Sequence, residues 1–572
     1  MTIIPDFLRQ LIETHLEVLL LWFSDYVYQR LEAANTDHPL QRLNTLLDLT
    51  PVERACGGFH KQNGMGCPIT HTVPRLVRAL LVRYFYDLSL RETEAAIREQ
   101  IPVKRFVGYA LASRGISYST LSRFENYVWE HHPRLFFDTV LRQIDAAFPA
   151  QRLRPQMADT FAMLANAQKE TLIGRLRHGA ALLLLAVHRQ EPARFYELAA
   201  ALKLPSLVGA EAEPPEFLLN AVEKHARLTE TVTQVVHLLQ GVGQYAARDQ
   251  SVRRYERLLR DVLAKEVEVR RDETGQVMAV RQFGEGERGT FRPTSATDPD
   301  ATIRNHGPGK QDNGYNIHLA ANTDFIREIE AATGSQPDAA GIVPLLTAQK
   351  EHHDLLPPKL IYDKAAGHGQ TIAAVAAATQ GQTQLVVQPV QAGKKKSGDR
   401  LGPLDCRLTE QIDPETGEIK PALVCPDGQT TTIRYRAGSG SGWTYRIPAA
   451  TCVDCPLLAA CRGDAVAPPH PRQWFVSDYQ SPVLAALAYA QTEAFKLDMK
   501  LRPQIERIIA GLVLHNGARY AHFRGLEKVD FQAKMCAMAY NLKRWLNLSD
   551  PNYKTRPRRT ATQGVLSLAA AA

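Results

Sequence analysis

Lys359-Leu-Ile-Tyr-Asp363 decides the fold that we predict for this 572-residue chain. Its consecutive apolar residues are typical of a buried strand, and the strand ends in a carboxylate. A second stretch, Arg154-Pro-Gln-Met-Ala-Asp159-Thr, has the same form and lies far earlier in the chain. Together the two stretches predict two strands that each end in an aspartate.

A third acid follows late in the chain, inside the helical segment Leu501-Arg-Pro-Gln-Ile-Glu506-Arg-Ile-Ile-Ala. Carboxylate oxygens are ligands that Mg²⁺ prefers. Two such ions about 3.5–4 Å apart activate a water and stabilise the leaving oxygen at a phosphodiester. We therefore expect Asp159, Asp363 and Glu506 to be catalytic and to bind two Mg²⁺ ions. The acids that compete for these roles are Asp354 and Glu527.

The segments between these acids predict a definite order of elements. Tyr315-Asn-Ile-His-Leu319 alternates apolar and polar residues, as a half-buried strand does. After it we predict a strand over 325–332, a helix over 338–352, the strand 359–363, a helix over 370–379 and a strand over 384–388. This is the order of a ribonuclease-H-like mixed sheet, in which the first and fourth strands are neighbours. Both aspartates are then expected to meet at one edge of the sheet.

Helical patterns occupy the regions on both sides of the first acid. Ser89-Leu-Arg-Glu92 predicts a capping box at a helix start, and another helix is expected to begin near Ser119 or Thr120. The N-terminal cations expected to be exposed are Arg91, Arg98, Lys104, Arg105 and Arg123. Short helices with exposed cations suit duplex binding, although a plain helical bundle accounts for them equally well. Residues 165–265 read as a helical insertion.

The net charge of the chain is +8, and its distribution is uneven. Residues 502–559 contain twelve Lys or Arg and four Asp or Glu, which equals the excess of the whole chain. A basic end indicates phosphate contacts, with a solvated basic surface as the alternative. No apolar run is long enough to span a membrane, and we read no secretory signal, so a cytoplasmic protein is expected.

The eight cysteines are too few for a disulfide framework, but four of them are spaced like a metal site. Cys425-x26-Cys452-x2-Cys455-x5-Cys461 contains a CxxC pair and two outlying thiols, which suits one structural Zn²⁺. Cys406 is a possible replacement for Cys425, and two buried thiols with two bystanders are the alternative. A further set consists of Cys56, His60, Cys67 and His71. Its spacing is irregular, and we favour ordinary side chains there.

Several motifs resemble those of bacterial insertion-sequence transposases of the Asp-Asp-Glu class. They are Leu80 to Arg91, Asp159-Thr-Phe-Ala-Met-Leu-Ala-Asn166, Asp298-Pro-Asp-Ala301, Gly314-Tyr-Asn316, Leu356 to Gly367, Arg502-Pro-Gln-Ile-Glu506, Phe523-Arg-Gly-Leu526 and Asn541-Leu-Lys-Arg544. The resemblance includes the cysteine cluster before the last acid. Many relatives carry a Lys about two turns after that acid, where this chain has Val513.

The resemblance implies DNA cleavage at element ends and joining of the 3′-hydroxyls to target DNA. Its partner would be double-stranded DNA, both the terminal inverted repeats and the target. The chain would also bind further copies of itself in a dimer or larger assembly, located at the nucleoid. DNA contacts are expected from Arg502, Arg524, Lys543 and Arg544, and Arg502 could instead orient Glu506 or form a surface ion pair. Two rivals are a nuclease that does not join ends and an inactive DNA-binding descendant. A zinc-stabilised interaction module is the weakest alternative.

These features divide the chain into five expected regions. We predict a helical DNA-binding domain over 1–150, a catalytic core over 151–400 with its insertion at about 165–265, and a zinc-binding insertion over 401–480. The last acid and the basic helices would fill 481–550, and 551–572 would be a disordered tail.

Overall fold

The computed structural model shows a mixed α/β protein with a helical N-terminal region, which confirms the predicted fold class at this level. It describes residues 22–31, 33, 38–60, 69–209, 212–243, 249–289, 291–305, 307, 309, 311–390, 401–412, 417–463 and 470–550. The tail 551–572 and Cys67 lie outside these residues. No helix within them is both long and apolar enough to cross a membrane.

The N-terminal region is built from short helices, in addition to helical residues 22–31. They are α1 (Pro39–Leu46), α2 (Thr50–Ala55), α3 (Val73–Phe85), α4 (Leu90–Glu99), α5 (Ile101–Val107), α6 (Tyr118–His131), α7 (Leu135–Ala147) and α8 (Pro149–Arg152). The predicted capping box of α4 is present, since the Ser89 and Glu92 side chains each accept from the other residue's backbone N–H. Lys104 is buried and donates to two carbonyls, so the expectation that it is exposed is wrong.

A six-stranded sheet follows these helices. Its strands are β1 (Gln156–Leu164), β4 (Thr302–Asn305), β5 (Gln311–Ala321), β6 (Ile326–Thr333), β7 (Lys359–Ile361) and β8 (Gln384–Val386). The order is β6-β5-β1-β7-β8, and β4 pairs with the start of β5. β1 runs antiparallel to β5 and parallel to β7, so the predicted contact between the first and fourth strands of the core is confirmed.

Two apolar layers cover the sheet. Met157, Phe161 and Met163 of β1 face the N-terminal helices and the last helix, whereas Ala158 faces the opposite side. On that opposite side lie α14 (Ile342–His353) and α15 (Gly369–Ala378), which cross over between the parallel strands. Each buried Leu or Ile in these layers contributes about 1.5–3 kcal/mol. The N-terminal helices therefore share a core with the sheet.

The helical insertion has a core of its own. Its elements are α9 (Leu172–Gln190), α10 (Pro192–Ala201), α11 (Leu204–Val208), α12 (Ala221–Val242), α13 (Gln250–Glu266), β2 (Val267–Arg271) and β3 (Val277–Gln282). Leu176, Val235 and Leu259 are fully buried within it. The five helices of this region follow the first acid within 172–266, close to the predicted range 165–265.

The cysteine-rich unit consists of small sheets and one short helix. Its elements are β9 (Arg407–Ile412), β10 (Ile419–Val424), β11 (Thr430–Thr431), β12 (Arg434–Arg436), β13 (Gly442–Ile447), α16 (Leu458–Arg462) and β14 (Arg472–Ser477). Its buried apolar cluster is small and includes Leu423, Tyr445 and Trp474. So few buried side chains leave this unit with little hydrophobic stabilisation.

Four helices complete the described chain, namely α17 (Gln480–Ala490), α18 (Glu493–Met499), α19 (Pro503–His515) and α20 (Leu526–Leu548). Pro503 stands in the first turn of α19, where its fixed φ and missing N–H favour a helix start. Ile505, Ile508 and Leu512 bury one side of α19 in the core that also holds Met157. This packing brings α19 to the sheet face of β1.

Candidate functional site

The register of the two parallel strands aligns Asp159 with Asp363. Met157 pairs with Ile361, and each aspartate lies two residues further along its strand direction. Because side chains alternate between the two faces of a sheet, Asp159 lies on the same face as Met157, and Asp363 on the same face as Ile361. β1 continues for five residues beyond Asp159, whereas it was expected to end there. Asp363 follows β7 and caps a 3-10 turn by accepting from Ala365 N–H at 2.9 Å.

The guanidinium of Arg502 is the point where all three predicted acids meet. Its Nη1 lies 2.9 Å from Glu506 Oε1, and its Nη2 lies 3.3 Å from Asp159 Oδ2 and 3.9 Å from Asp363 Oδ2. Arg502 immediately precedes α19, and Glu506 is in its first turn. Acids far apart in the sequence are thus brought around one cation.

Burial and like charge act together on Asp159. Burial raises the pKa of its carboxyl and the neighbouring Asp363 carboxylate raises it further, while Arg502 opposes the shift. Glu506 is the most exposed of the three acids, with 60% of its side chain accessible against 20% for Asp159. In the described part of the chain no three His, Cys, Asp or Glu side chains stand close enough to hold a metal ion as arranged. The acids surround Arg502 at present.

Two hydrogen-bonded links fix the far end of β1 to the segment after α19. Leu164 donates to Arg519 O and accepts from Ala521 N–H, which extends β1 by a parallel bridge. Asn166 donates to His522 O at 3.3 Å, and its own carbonyl accepts from Arg524 Nε at 2.9 Å. The first-acid motif and the motif after the third acid are therefore directly bonded.

A third link joins the second-acid strand to the helices before α19. Lys359 of β7 donates to Asp498 Oδ2 at 2.7 Å and to the Tyr489 hydroxyl at 2.8 Å. Tyr489 also donates to the same Asp498 oxygen. Hydrogen bonds to a charged group contribute more than neutral ones, so this triad sets the position of β7 relative to α18.

Asp338 is a site-adjacent acid that the sequence reading missed. Its Oδ1 accepts from Thr160 Oγ1 at 2.7 Å and from Asn316 Nδ2 at 2.9 Å, and it pairs with Arg304. Burial alone would raise its pKa, but these partners hold the pKa below its usual value. Thr160 directly follows Asp159, and Asn316 ends the motif Gly314-Tyr-Asn316. These two polar residues were the sequence signal that could have pointed to a polar partner such as Asp338.

The four cations expected on DNA have different surroundings. Arg502 lies among the acids, and Arg524 is exposed beside Asn166. Lys543 instead donates to His515 O and Asn516 Oδ1, and burial lowers its pKa. Arg544 forms an ion pair with Asp324. The last two side chains thus have partners inside the chain that the sequence did not reveal.

Four cysteines belong to or pack against the small core of the cysteine-rich unit. Cys406 is buried in that core, and Cys425, Cys452 and Cys461 pack against it. Burial raises the pKa of the Cys461 thiol, and the neighbouring Cys452 and Cys425 raise it further. Cys425 begins a tight turn closed by a hydrogen bond from Gly428 N–H, as its Cys-Pro-Asp-Gly sequence indicated. The thiols lie near one another but not as a formed tetrahedral site.

The remaining candidates are engaged elsewhere. Asp354 forms a surface ion pair with Lys350. In the N-terminal set, Cys56 is buried, His60 Nε2 lies 2.8 Å from His71 O, and His71 Nδ1 lies 2.7 Å from the Tyr109 hydroxyl. His60 and His71 are thus engaged in hydrogen bonds within the described residues, and Cys67 lies outside them.

Comparison with protein families gives two matches. Residues 29–127 match a transposase domain family (DUF772), and residues 424–546 match a transposase DDE domain family. The second match spans the cysteines 425–461 and Glu506, while Asp159 and Asp363 lie outside both. Comparisons with curated proteins and with solved structures return no significant match. The two family matches support an insertion-sequence transposase of the Asp-Asp-Glu class, as the resemblance predicted.

Proposed function

We propose that this transposase cleaves DNA at the ends of an insertion sequence and joins the freed 3′-hydroxyls to target DNA. The observation that carries the proposal is the convergence of Asp159, Asp363 and Glu506 on one guanidinium. Acids that share a cation in this way form a donor set of hard oxygens, which suits Mg²⁺. The strand order β6-β5-β1-β7-β8, with its antiparallel and parallel pairings, supports a ribonuclease-H-like core as the frame of this site.

The three acids have distinct roles in the proposed reaction. Asp159 and Asp363 would hold two Mg²⁺ ions from the rigid sheet, and Glu506 would complete the set from α19. Two bound Mg²⁺ ions supply a nucleophilic oxygen and stabilise charge on the leaving oxygen. Because 60% of the Glu506 side chain is exposed, it has room to turn toward the ions when it leaves Arg502. Asp338 would act as a positioning residue, since it accepts from Thr160 beside Asp159.

DNA would lie across the edge that carries Glu506 and Arg524. Arg524 is exposed, and its Nε bond to Asn166 fixes it close to the strand that bears Asp159. Neutralised phosphates release counterions, so contacts of this kind make binding depend on salt. The N-terminal helices and the basic C-terminal region would add contacts to the terminal repeats. Lys543 and Arg544 would contribute mainly by packing within that region, through their partners inside the chain. Because two element ends must be held together, we expect a dimer or larger assembly.

The cysteine-rich unit would hold one structural Zn²⁺ through Cys425, Cys452, Cys455 and Cys461. The support is that Cys425, Cys452 and Cys461 pack against one small core and that Cys455 lies near Cys425. Four thiolates leave no open position, so the ion would fix the unit and take no part in the reaction. Cys406, packed in the same core, is the alternative fourth ligand.

The test uses DNA that carries both ends of the encoding element and a supercoiled target plasmid. The wild-type chain should cut at the ends and form joined products with Mg²⁺, and Asp159→Asn, Asp363→Asn and Glu506→Gln should each bind the DNA without cutting it. Cutting without joined products would favour the nuclease. An intact wild-type chain that binds but never cuts would favour the inactive descendant.

A further inference from the structure

The position of Arg502 is unusual for a cation. It directly precedes α19, and the N-terminal end of a helix dipole disfavours positive charge. Its Nε is buried and has no hydrogen-bond partner in the part of the chain that the structure describes. Among the described residues, the three carboxylates are the hydrogen-bonding and ion-pair partners of the guanidinium. When those acids accept another cation, little else retains Arg502.

We propose that Arg502 is a built-in counter-cation that competes with divalent metal for Asp159, Asp363 and Glu506. The inference rests on the proposed function, because it takes these acids to be the metal ligands. A metal ion held by these acids would draw on the carboxylates that Arg502 now contacts at 2.9–3.9 Å. Metal binding therefore requires the guanidinium to leave, and the chain loads metal more weakly than its three acids would alone.

A DNA phosphate is the anion that can bind the displaced guanidinium. Arg502 is one-quarter exposed, and a planar guanidinium matches the geometry of phosphate oxygens. DNA that draws Arg502 away frees the carboxylates at the same time. The consequence is that metal and DNA bind cooperatively, so that the cutting site assembles when substrate is present. By linkage, metal must then strengthen DNA binding by the same factor.

The experiment measures Mn²⁺ affinity of the full chain by the electron paramagnetic resonance signal of free Mn²⁺. Without DNA, Arg502→Gln should bind Mn²⁺ about tenfold more tightly than wild type, and Arg502→Lys should stay close to wild type because it keeps a cation there. An end-containing DNA duplex should tighten Mn²⁺ binding of wild type but not of Arg502→Gln. Arg507→Gln is the matched control, since Arg507 is exposed on α19 one residue beyond Glu506.

The outcomes separate this inference from the proposed function. If Asp159→Asn and Asp363→Asn lose Mn²⁺ binding while Arg502→Gln binds it no better than wild type, the competition is refuted and the metal site stands. If the acid variants keep Mn²⁺ binding, the proposed function itself fails. A thermal melt of each variant with and without Mn²⁺ checks folding, and Mn²⁺ should raise the melting temperature of Arg502→Gln more than that of wild type.

Discussion

The carboxylate site and the cysteine-rich unit differ in what holds their side chains in place. The acids stand on a six-stranded sheet and a helix that share the largest apolar core of the described chain. The cysteine-rich unit has a cluster of six buried side chains, of which one is Cys406 and two are aromatic. The acids thus rest on a large apolar core, whereas the cysteine-rich unit has a small one and correspondingly little hydrophobic stabilisation.

This difference implies different consequences of metal loss at the two places. Removing the ions from the acid site should stop the reaction and leave the fold, because Arg502 already balances part of the carboxylate charge. Removing an ion from the cysteine-rich unit should cost structure, because metal binding and folding are coupled in small units. The following experiments test this contrast, in order of decreasing expected effect.

Asp159→Asn should give the largest effect, a loss of cleavage of about 1000-fold, because a metal ligand supplies several kcal/mol of transition-state stabilisation. Its free energy of unfolding should change by no more than about 1 kcal/mol. Cleavage assays and urea unfolding measure the two quantities. Asp354→Asn, which alters only an exposed ion pair, is the control and should change neither. A variant that unfolds together with its loss of cleavage would remove the contrast.

Cys455→Ser should release the zinc of the cysteine-rich unit and open residues 401–480 to proteolysis, while the sheet core stays protected. The reason is that one lost thiolate leaves an incomplete tetrahedron around the ion. Zinc content per chain and limited proteolysis measure the effect. Cys406→Ser distinguishes the alternative ligand set, since only one of Cys406 and Cys425 is expected to be required. Wild-type protein that is folded and free of zinc would contradict the assignment.

Lys359→Met tests the hydrogen bonds that Lys359 of β7 donates to Asp498 and Tyr489. It leaves the Asp498 carboxylate, 12% exposed, without its cation, and should lower the free energy of unfolding by about 1–3 kcal/mol. Lys350→Met removes a similar charge from an exposed pair with Asp354 and should cost less than about 1 kcal/mol. Equal costs for the two variants would mean that the triad at β7 does not position the strand.

Titration of Glu330 in β6 should make the stability of the sheet core depend slightly on pH. Burial raises the pKa of its carboxyl from 4.5 to about 7, with Glu328 and Asp530 adding to the shift and Lys534 and Arg134 opposing it. Between these values the unfolded chain loses the proton that the folded chain keeps, so stability falls as pH rises through this window. The expected loss is about 1–2 kcal/mol.

Urea unfolding at pH 4.5 and pH 7.5 measures this loss of stability. Glu330→Gln should abolish the part of the loss that comes from Glu330. Glu351→Gln, on the exposed side of α14, is the control. A Glu330→Gln variant with an unchanged pH dependence would place the titrating group elsewhere.

The sequence predicted the elements that follow from local patterns. The capping box at Ser89, the strand around Tyr315 and the helix around Glu506 are all present, because capping and periodicity depend on neighbouring residues. The end of β1 was misplaced, because residues 160–164 continue the strand by pairing with 314–318 of β5, a segment distant in the chain. The same reason explains why the partners of Lys543 and Arg544 were not foreseen.

The acids themselves could be named from the sequence, but their common partner could not. The spacing of four residues between Arg502 and Glu506 indicates that both lie on one helix face. That it also contacts Asp159 and Asp363 depends on the register of β1 with β7 and on the packing of α19. Tertiary contacts of this kind leave no local signal.

The most direct test of the central claim is anomalous diffraction from crystals of the chain soaked with Mn²⁺. We expect manganese bound by oxygens of Asp159 and Asp363, with Glu506 turned toward it and the Arg502 guanidinium displaced. Crystals that take up no manganese at these acids, or that show manganese elsewhere while Arg502 keeps its three contacts, would contradict the claim that they form the metal site.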